Sequence, residues 1–437
     1  MISVQNLQRL LSGNRKLSFL LIIPFLLISC GAFKKSQPTP WPSDDEIGEV
    51  KNETEVETKD EPTSDGDKVL SKETKHKKYE EVNFKGDQYQ VPIHKKEFEI
   101  AVLLPFHSDA SNSSKDQRRS NIMLEYYQGM KLAIPELEHL ESKFLIRYYD
   151  TDNDTNKLKE LLKNPKIENV DLILGPTDND QLRIAAFFAR KREIPLISPI
   201  TTIDKLWSDN PYVFNVNPSD KMQVQEFLHY FNQNHTGEKL LIVRDGKYFD
   251  RSFGQTLVEE CIAKGVKYQE VKYSGKIRWN EHVSDEGTVV FHTGRTKTAM
   301  SNVVTGLQNR SKEVTLVGPE DWMDLSSVDY AQLQKLNITY ISTNKTQIPN
   351  DMADKLYSSY TSSYNGTPSF YTYMGYDQLM FACESLDAFG KYFPLFLENK
   401  SIEYSNTDFR LIKSENSFHN LYLGIFQLKE DRLIKVN

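Results

Sequence analysis

The chain has 437 residues, 38% of them hydrophobic, enough to bury two domain-sized cores with chain left over. Its formal charge of −7 excludes the basic footprint of a nucleic-acid binder. Residues 41–90 hold 15 Asp and Glu against 8 Lys, so the acidity belongs to one segment and the remainder is close to neutral.

Residues 1–30 read as a targeting segment. Arg9, Arg15 and Lys16 form a positive region, and Leu17 to Ile28 is an apolar run too short to span a bilayer as a mature helix. The run ends in Leu27-Ile28-Ser29-Cys30-Gly31, which resembles the lipobox of bacterial lipoproteins. That resemblance implies a mature chain that starts at Cys30 and carries its lipid there. Two or more acyl chains give stable anchoring, at about 0.8 kcal/mol per buried methylene. Gly31 after the cysteine points, by analogy with sorting rules, to the outer membrane. Residues 31–94 are rich in Pro, Ser, Thr, Glu, Asp and Lys and show no sustained period, as expected of a disordered tether. As a coil it would have an end-to-end distance of about 45 Å.

A first lobe is expected from residue 95. Phe98 to Pro105 is a continuous apolar strand of the kind found in parallel sheets covered on both faces. A polar loop, Phe106 to Ser120, holds His107. Ile122 to Leu137 reads as an amphipathic helix and Lys143 to Tyr149 as the next strand. Asp150, Asp152 and Asp154 alternate like the start of a calcium loop. Thr155 stands where that loop needs Gly and Leu161 where it needs Glu, so the triad reads as an acidic turn and helix cap.

Asp171 to Thr202 is the most legible stretch. Leu172 to Leu174 is a strand that breaks at Gly175-Pro176. The cluster Thr177, Asp178, Asn179, Asp180 offers N-caps to a helix with Leu182, Ala185, Ala186 and Ala189 on one face. Ile194 to Ile197 is a second buried strand, stopped by Ser198-Pro199. This βαβ unit places two polar turns at the carboxyl ends of neighbouring parallel strands, the edge where ligands bind in open α/β sheets.

After Tyr212 to Phe214 the pattern resets at residues 215–220. Strands follow at Lys239 to Arg244, Val266 to Tyr273, Thr288 to His292 and Val314 to Val317, with helices between them at Gln223 to Asn232, Ser252 to Lys264 and Ala299 to Leu307. Helices Asp351 to Tyr364 and Gly375 to Phe389 come next, then a hairpin at Ser417 to Val436. The expected plan is α/β: two doubly wound Rossmann-like lobes joined by several crossings. Its divisions are 95–217 in the first lobe, 218–342 in the second, 343–398 returning to the first, and 399–437 closing the second.

Nine pieces in order, among them AVLLPF, YYDTDND, GPTDND, IPLISPITT, PYVFNVNPSD, LLIVRDGKYF and LVGPED, resemble type I periplasmic binding proteins, the class of the leucine/isoleucine/valine receptors. The resemblance implies a ligand site in the crevice between the lobes and hinge closure across crossings near Asn217, Thr343 and Asn399. By the same resemblance a ligand carboxylate would be held by the turns at Asn179 and at Thr201 and Thr202. Asn179 departs from the serine usual there, and the Asp178 to Asp180 cluster would equally serve as a helix cap. Glu320, in Gly318-Pro319-Glu320, matches the glutamate that pairs with a ligand ammonium. Tyr248 falls where the family places an aromatic wall. Arg295 either suits an anionic ligand or pairs with Asp321.

Enzyme signatures are missing from the sequence: no G-x-S-x-G, Walker A loop, H-E-x-x-H or C-x-x-C. No cofactor or metal is expected. Cys261 and Cys383 read as separate buried thiols in different lobes. The resemblance implies a lipid-anchored solute-binding protein that captures a small polar ligand, amino-acid-like by family, for an ABC permease. Two alternatives stay open, since the fold also resembles the carboxy-terminal domain of penicillin-binding protein activators. One is an outer-membrane lipoprotein acting on a peptidoglycan synthase, and the other is a sensory or scaffold lipoprotein.

Overall fold

A computed structural model describes residues 79–107, 114–201, 209–273, 276–309, 314–323 and 330–437, apart from residues 347, 349, 415 and 431. The expected lipidation site Cys30 and the bulk of the expected tether lie outside the described residues.

The described chain opens on a hairpin of β1 (Tyr79–Phe84) and β2 (Asp87–Pro92). This corrects the expected boundary at 95. Phe84 and Val91 are buried in the first lobe's core, and Tyr89 meets Phe389 edge-on at 5.1 Å. Polar residues, among them Asn83, Lys85, Gln88 and Gln90, alternate with these anchors, which is why the segment reads as tether from composition alone.

The first lobe is built on β3 (Glu97–Leu104), β4 (Lys143–Asp150), β5 (Leu172–Leu174), β6 (Leu196–Ser198) and β7 (Val213–Asn215). All five are parallel, in the spatial order β7-β6-β5-β3-β4. The helices that follow them include α1 (Ser114–Ala133), α2 (Thr155–Leu161) and α3 (Asn179–Arg192). The start of α1 falls inside the expected polar loop. Gln117 is exposed and Arg118 to Ser120 are half-buried, so those turns carry no apolar period to read. Successive strand residues face opposite ways. Val102, Leu104, Leu174 and Ile197 join one core, while Ala101, Leu103, Ile173 and Leu196 pack beneath α3.

The second lobe repeats the plan with α4 (Asp220–Asn234), β8 (Lys239–Arg244), α5 (Gln255–Lys264), β9 (Tyr268–Lys272), β10 (Thr288–His292), α6 (Lys297–Leu307), β11 (Val314–Pro319) and β12 (Thr339–Ser342). Its parallel strands run β12-β11-β10-β8-β9. In both lobes the first strand lies inside the second, and the third pairs on its other side. The order reverses between β3 and β5 in one lobe and between β8 and β10 in the other. Such switch points open a crevice at the strands' carboxyl ends.

The chain then returns to the first lobe through α7 (Asp351–Tyr364) and α8 (Phe370–Phe389), and α8 is buried along almost its whole length. β13 (Ser401–Glu403), β14 (Asp408–Ser414) and β15 (Ser417–Asn420) extend the first sheet, with β15 parallel to β7. Only β16 (Gly424–Lys429) and β17 (Arg432–Lys435) belong to the second sheet. The expected assignment of 399–437 to the second lobe therefore divides at 421–423. The third crossing moves there from Asn399, which lies within the first lobe and donates its amide to Leu411. All three crossings, at residues 216–219, 343–350 and 421–423, join the carboxyl ends of the two parallel sheets. β16 runs antiparallel to β12 and starts opposite its end, Gly424 against Ser342.

Charged groups tie the crossings. Lys345 of the second crossing and Lys435 of β17 both reach Asp408 of β14, Lys435 at 3.1 Å. Cys261 and Cys383 are buried free thiols, one in each lobe.

Candidate functional site in the interlobe crevice

At the first lobe's switch point, β3 ends in Pro105-Phe106-His107 and β5 in the turn before α3. Asp150, at the end of β4, accepts the amides of Phe106 (2.9 Å), His107 (3.3 Å) and Asp152 (2.9 Å). These bonds hold His107 in the left-handed region, φ 52°. A carboxylate can only accept, so the His107 Nδ1–H donates to Asp152 at 3.0 Å. The imidazole is 7% exposed, and its Nε2 is buried without a partner. Asp154 caps α2 through the amide of Asn156, as the acidic-turn reading expects.

Asp178 is the N-cap of α3, accepting the amides of Asp180 at 3.0 Å and Gln181 at 3.2 Å. Asn179 and Thr201 are brought together: the Thr201 hydroxyl donates to Asn179 Oδ1 at 3.0 Å. Asn217, on the first crossing, donates to the Ile200 carbonyl at 2.7 Å and fixes this turn to the hinge. Thr202 lies outside the described residues.

The second lobe gathers Tyr248, Arg295 and Glu320 at the ends of β8, β10 and β11. The loop after β8 is shaped by Asp250, whose carboxylate accepts from Arg244 and from the Gly246 amide at 2.9 Å. Phe249 stacks on Phe253, and the Arg295 guanidinium lies 5.8 Å from the Phe249 ring centre. Tyr248 is 38% exposed beside this pair. Arg295 Nε donates to Asp321 Oδ2 at 2.6 Å, so the ion pair that is one of its two expected roles is formed here. The residue before it is clamped: Gly294 gives its amide to His292 Nδ1 at 2.8 Å and takes the Trp322 indole N–H on its carbonyl at 2.8 Å. Burial pushes His292 down to about 4, so it stays a neutral acceptor.

Glu320 is half-buried, and its carboxylate accepts from the Ser342 hydroxyl. Desolvation raises its pKa, the Ser342 bond opposes that, Asp321 adds to it and Arg295 offsets part. Ser342 in turn accepts the Asn344 amide at 2.8 Å, so Glu320 is linked through one hydroxyl to the second crossing. His107 and Ser342 were not singled out as site residues from the sequence. A lone His or Ser carries no spacing signal, and each acquires its place through a partner on another strand. Among the described residues no group of His, Cys, Asp and Glu is arranged to hold a metal ion. Among them, too, no helix is long and apolar enough to cross a membrane.

A family model described as periplasmic binding protein matches residues 99–393. The fold is similar to that of a Rhodospirillum rubrum protein assigned as a branched-chain amino acid ABC transporter, with a TM-score of 0.57 and 11% identity, covering 78% of this chain and 100% of that one. It is also similar to an ABC transporter substrate-binding protein from Desulfitobacterium hafniense, at a TM-score of 0.50 and 16% identity, with the same coverage. A third, an ABC transporter substrate-binding protein from Sphaerobacter thermophilus, has a TM-score of 0.50 and 14% identity, covering 78% of this chain and 97% of that one. At these identities the likeness is one of fold. No curated protein matches the sequence.

Proposed function

The chain belongs to the type I periplasmic binding protein family, and from that premise we propose that it is a lipid-anchored, extracytoplasmic solute-binding protein serving an ABC transporter. It captures a small polar solute with an amino group in the interlobe crevice. The observation that carries this reading is the gathering of Tyr248, Arg295 and Glu320 at the second lobe's switch point, with Glu320 coupled through Ser342 to a crossing. A ligand bridging that edge and the turns at His107 and Asn179 would favour the closed arrangement by contacts made only when both lobes meet. Cys30 is proposed as the lipid-bearing residue and the outer membrane as the membrane it enters.

Thermal unfolding of the full chain against amino acids, amines, short peptides and muropeptides tests the proposal. A true ligand at a hundredfold over its dissociation constant adds about 2.7 kcal/mol and raises the midpoint. If no solute does so, the solute-binding reading fails, and capture of a peptidoglycan synthase becomes the competing outcome to measure. Anchoring is tested separately: Cys30→Ser is expected to move the protein from the membrane fraction to the soluble one.

A further inference from the structure

We propose that the crevice is built for a cationic ligand that carries no carboxylate, such as an alkyl amine or an amino amide; this rests on the solute-binding reading above. A carboxylate at the first lobe would need free donors at the start of α3, and two of those donors are taken. The Asp178 side chain accepts the first-turn amides of Asp180 and Gln181, which a bare helix start would offer to an anion. Thr201 spends its hydroxyl proton on Asn179. Asp180, exposed at the same turn, adds a second negative charge. In the second lobe, Arg295 at the end of β10 gives its Nε–H to Asp321 at 2.6 Å, so its charge already has a counterion.

Acceptors remain. Glu320 has the Ser342 hydroxyl as its hydrogen-bond donor, and a carboxylate has about four lone-pair positions to fill. Its raised pKa is what a desolvated carboxylate shows before a cation arrives. In the first lobe the His107 ring gives its Nδ1 proton to Asp152, and its Nε2 is buried without a partner. The second lobe's switch point thus offers an acceptor with room for an N–H, and the first lobe's holds a ring nitrogen whose hydrogen bond is unmade. A charged nitrogen satisfies Glu320 and adds donors within a crevice where such pairing is strong. A carboxylate on the same ligand would meet the negative charges of Asp152, Asp178 and Asp180 at the first lobe.

Matched pairs decide the matter. Glycine, leucine, lysine and phenylalanine, each against its own amide, differ in the carboxylate and keep the ammonium. Putrescine and agmatine complete the set. Calorimetric titration of the full chain is expected to find at least one amide or diamine binding about tenfold or more tighter than any free amino acid. Glu320→Gln should weaken that binding by about tenfold or more. Asp178→Gly, a cap change costing only a few tenths of a kcal/mol, exposes the two amides and should narrow the gap by admitting the free amino acid. Should Glu320→Gln fail to fold, the Asp178→Gly comparison still decides. Free amino acids binding as tightly as their amides would overturn the cation preference and leave solute binding standing. Binding of none of these probes, nor of any solute in the wider panel, would remove the solute-binding reading and this inference with it.

Discussion

Arg410 of β14 grips Glu226 of α4 through two guanidinium nitrogens, at 2.8 and 3.3 Å, and so joins the first sheet to the second lobe. Glu226 is buried, while the Arg410 side chain keeps 36% of its surface exposed. Removing the cation strands a buried carboxylate, a loss of about 3–5 kcal/mol for a fully enclosed pair. Partial exposure of Arg410 lowers the expected cost of Arg410→Ala to about 1–3 kcal/mol. Denaturant unfolding of Arg410→Ala, Glu226→Ala and the double variant should give a coupling of about 1 kcal/mol or more. Additive single effects would show that the pair holds nothing together.

Gly129 and Gly375 set how closely α1 and α8 approach. A Cβ on Gly129 would stand 1.9 Å from the Thr372 carbonyl oxygen, and one on Gly375 2.0 Å from that of Tyr126. Both obstacles are backbone, so the helices must separate to admit a methyl. Gly375→Ala is expected to destabilise the first lobe by about 1–3 kcal/mol, as overpacking does, despite alanine's better helix propensity. A thermal midpoint unchanged or raised in that variant would contradict this packing.

These elements show how much the sequence could say. Strands such as Phe98 to Pro105 and Ile194 to Ile197 were legible because both their faces are buried, and their ends because Pro or a polar turn stops them. The cap at Asp178 and the pairing of Arg295 with Asp321 were each visible as one of two options, since local chemistry allows both roles. The hairpin β1–β2 was not legible: it is mostly polar and gains its order from Phe389 and Phe396 of another segment. Nor was the place of β15, a short strand whose partner β7 lies some two hundred residues earlier and whose register nothing local fixes. His107 entered the site through Asp150 at the end of the neighbouring strand and Asp152 in the turn after it, contacts that no motif announces.

Stability should depend on pH through two buried groups of opposite sign. The Asp377 carboxyl is pushed up to about 7 by burial, against hydrogen bonds from Ser405 and Asn406 and the nearby Lys345. The folded state therefore holds this proton more tightly than the unfolded chain. Its contribution is full below about 4 and is lost as pH rises towards about 7. Glu320, also raised by burial, adds a slope of the same sign. His292, pushed down to about 4, does the reverse, and stability falls as pH drops from about 6.5 through about 4. Urea unfolding between pH 4 and pH 8 should show Asp377→Asn rising more steeply with pH than the parent across pH 4–6.5. His292→Phe should decline more steeply over the same range. Identical profiles for the parent and both variants would sink this assignment.

The cap at Asp178 is open to a test that needs no ligand. Its oxygen satisfies two amides at the start of α3, the helix whose Leu182, Ala185 and Ala189 cover one face of the first sheet. Asp178→Ala leaves those donors to water at the edge of the crevice and should cost about 1 kcal/mol. Asp178→Asn keeps an acceptor in the same place, so its cost should stay within a few tenths of a kcal/mol apart from the lost attraction to the helix dipole, about 0.3–1 kcal/mol at low salt. Adding salt should shrink the Asn difference and leave the Ala deficit largely in place, because screening weakens the charge and not the neutral hydrogen bond. Equal deficits for Ala and Asn at every salt concentration would mean that Asp178 acts by charge alone, with its donors free for another acceptor.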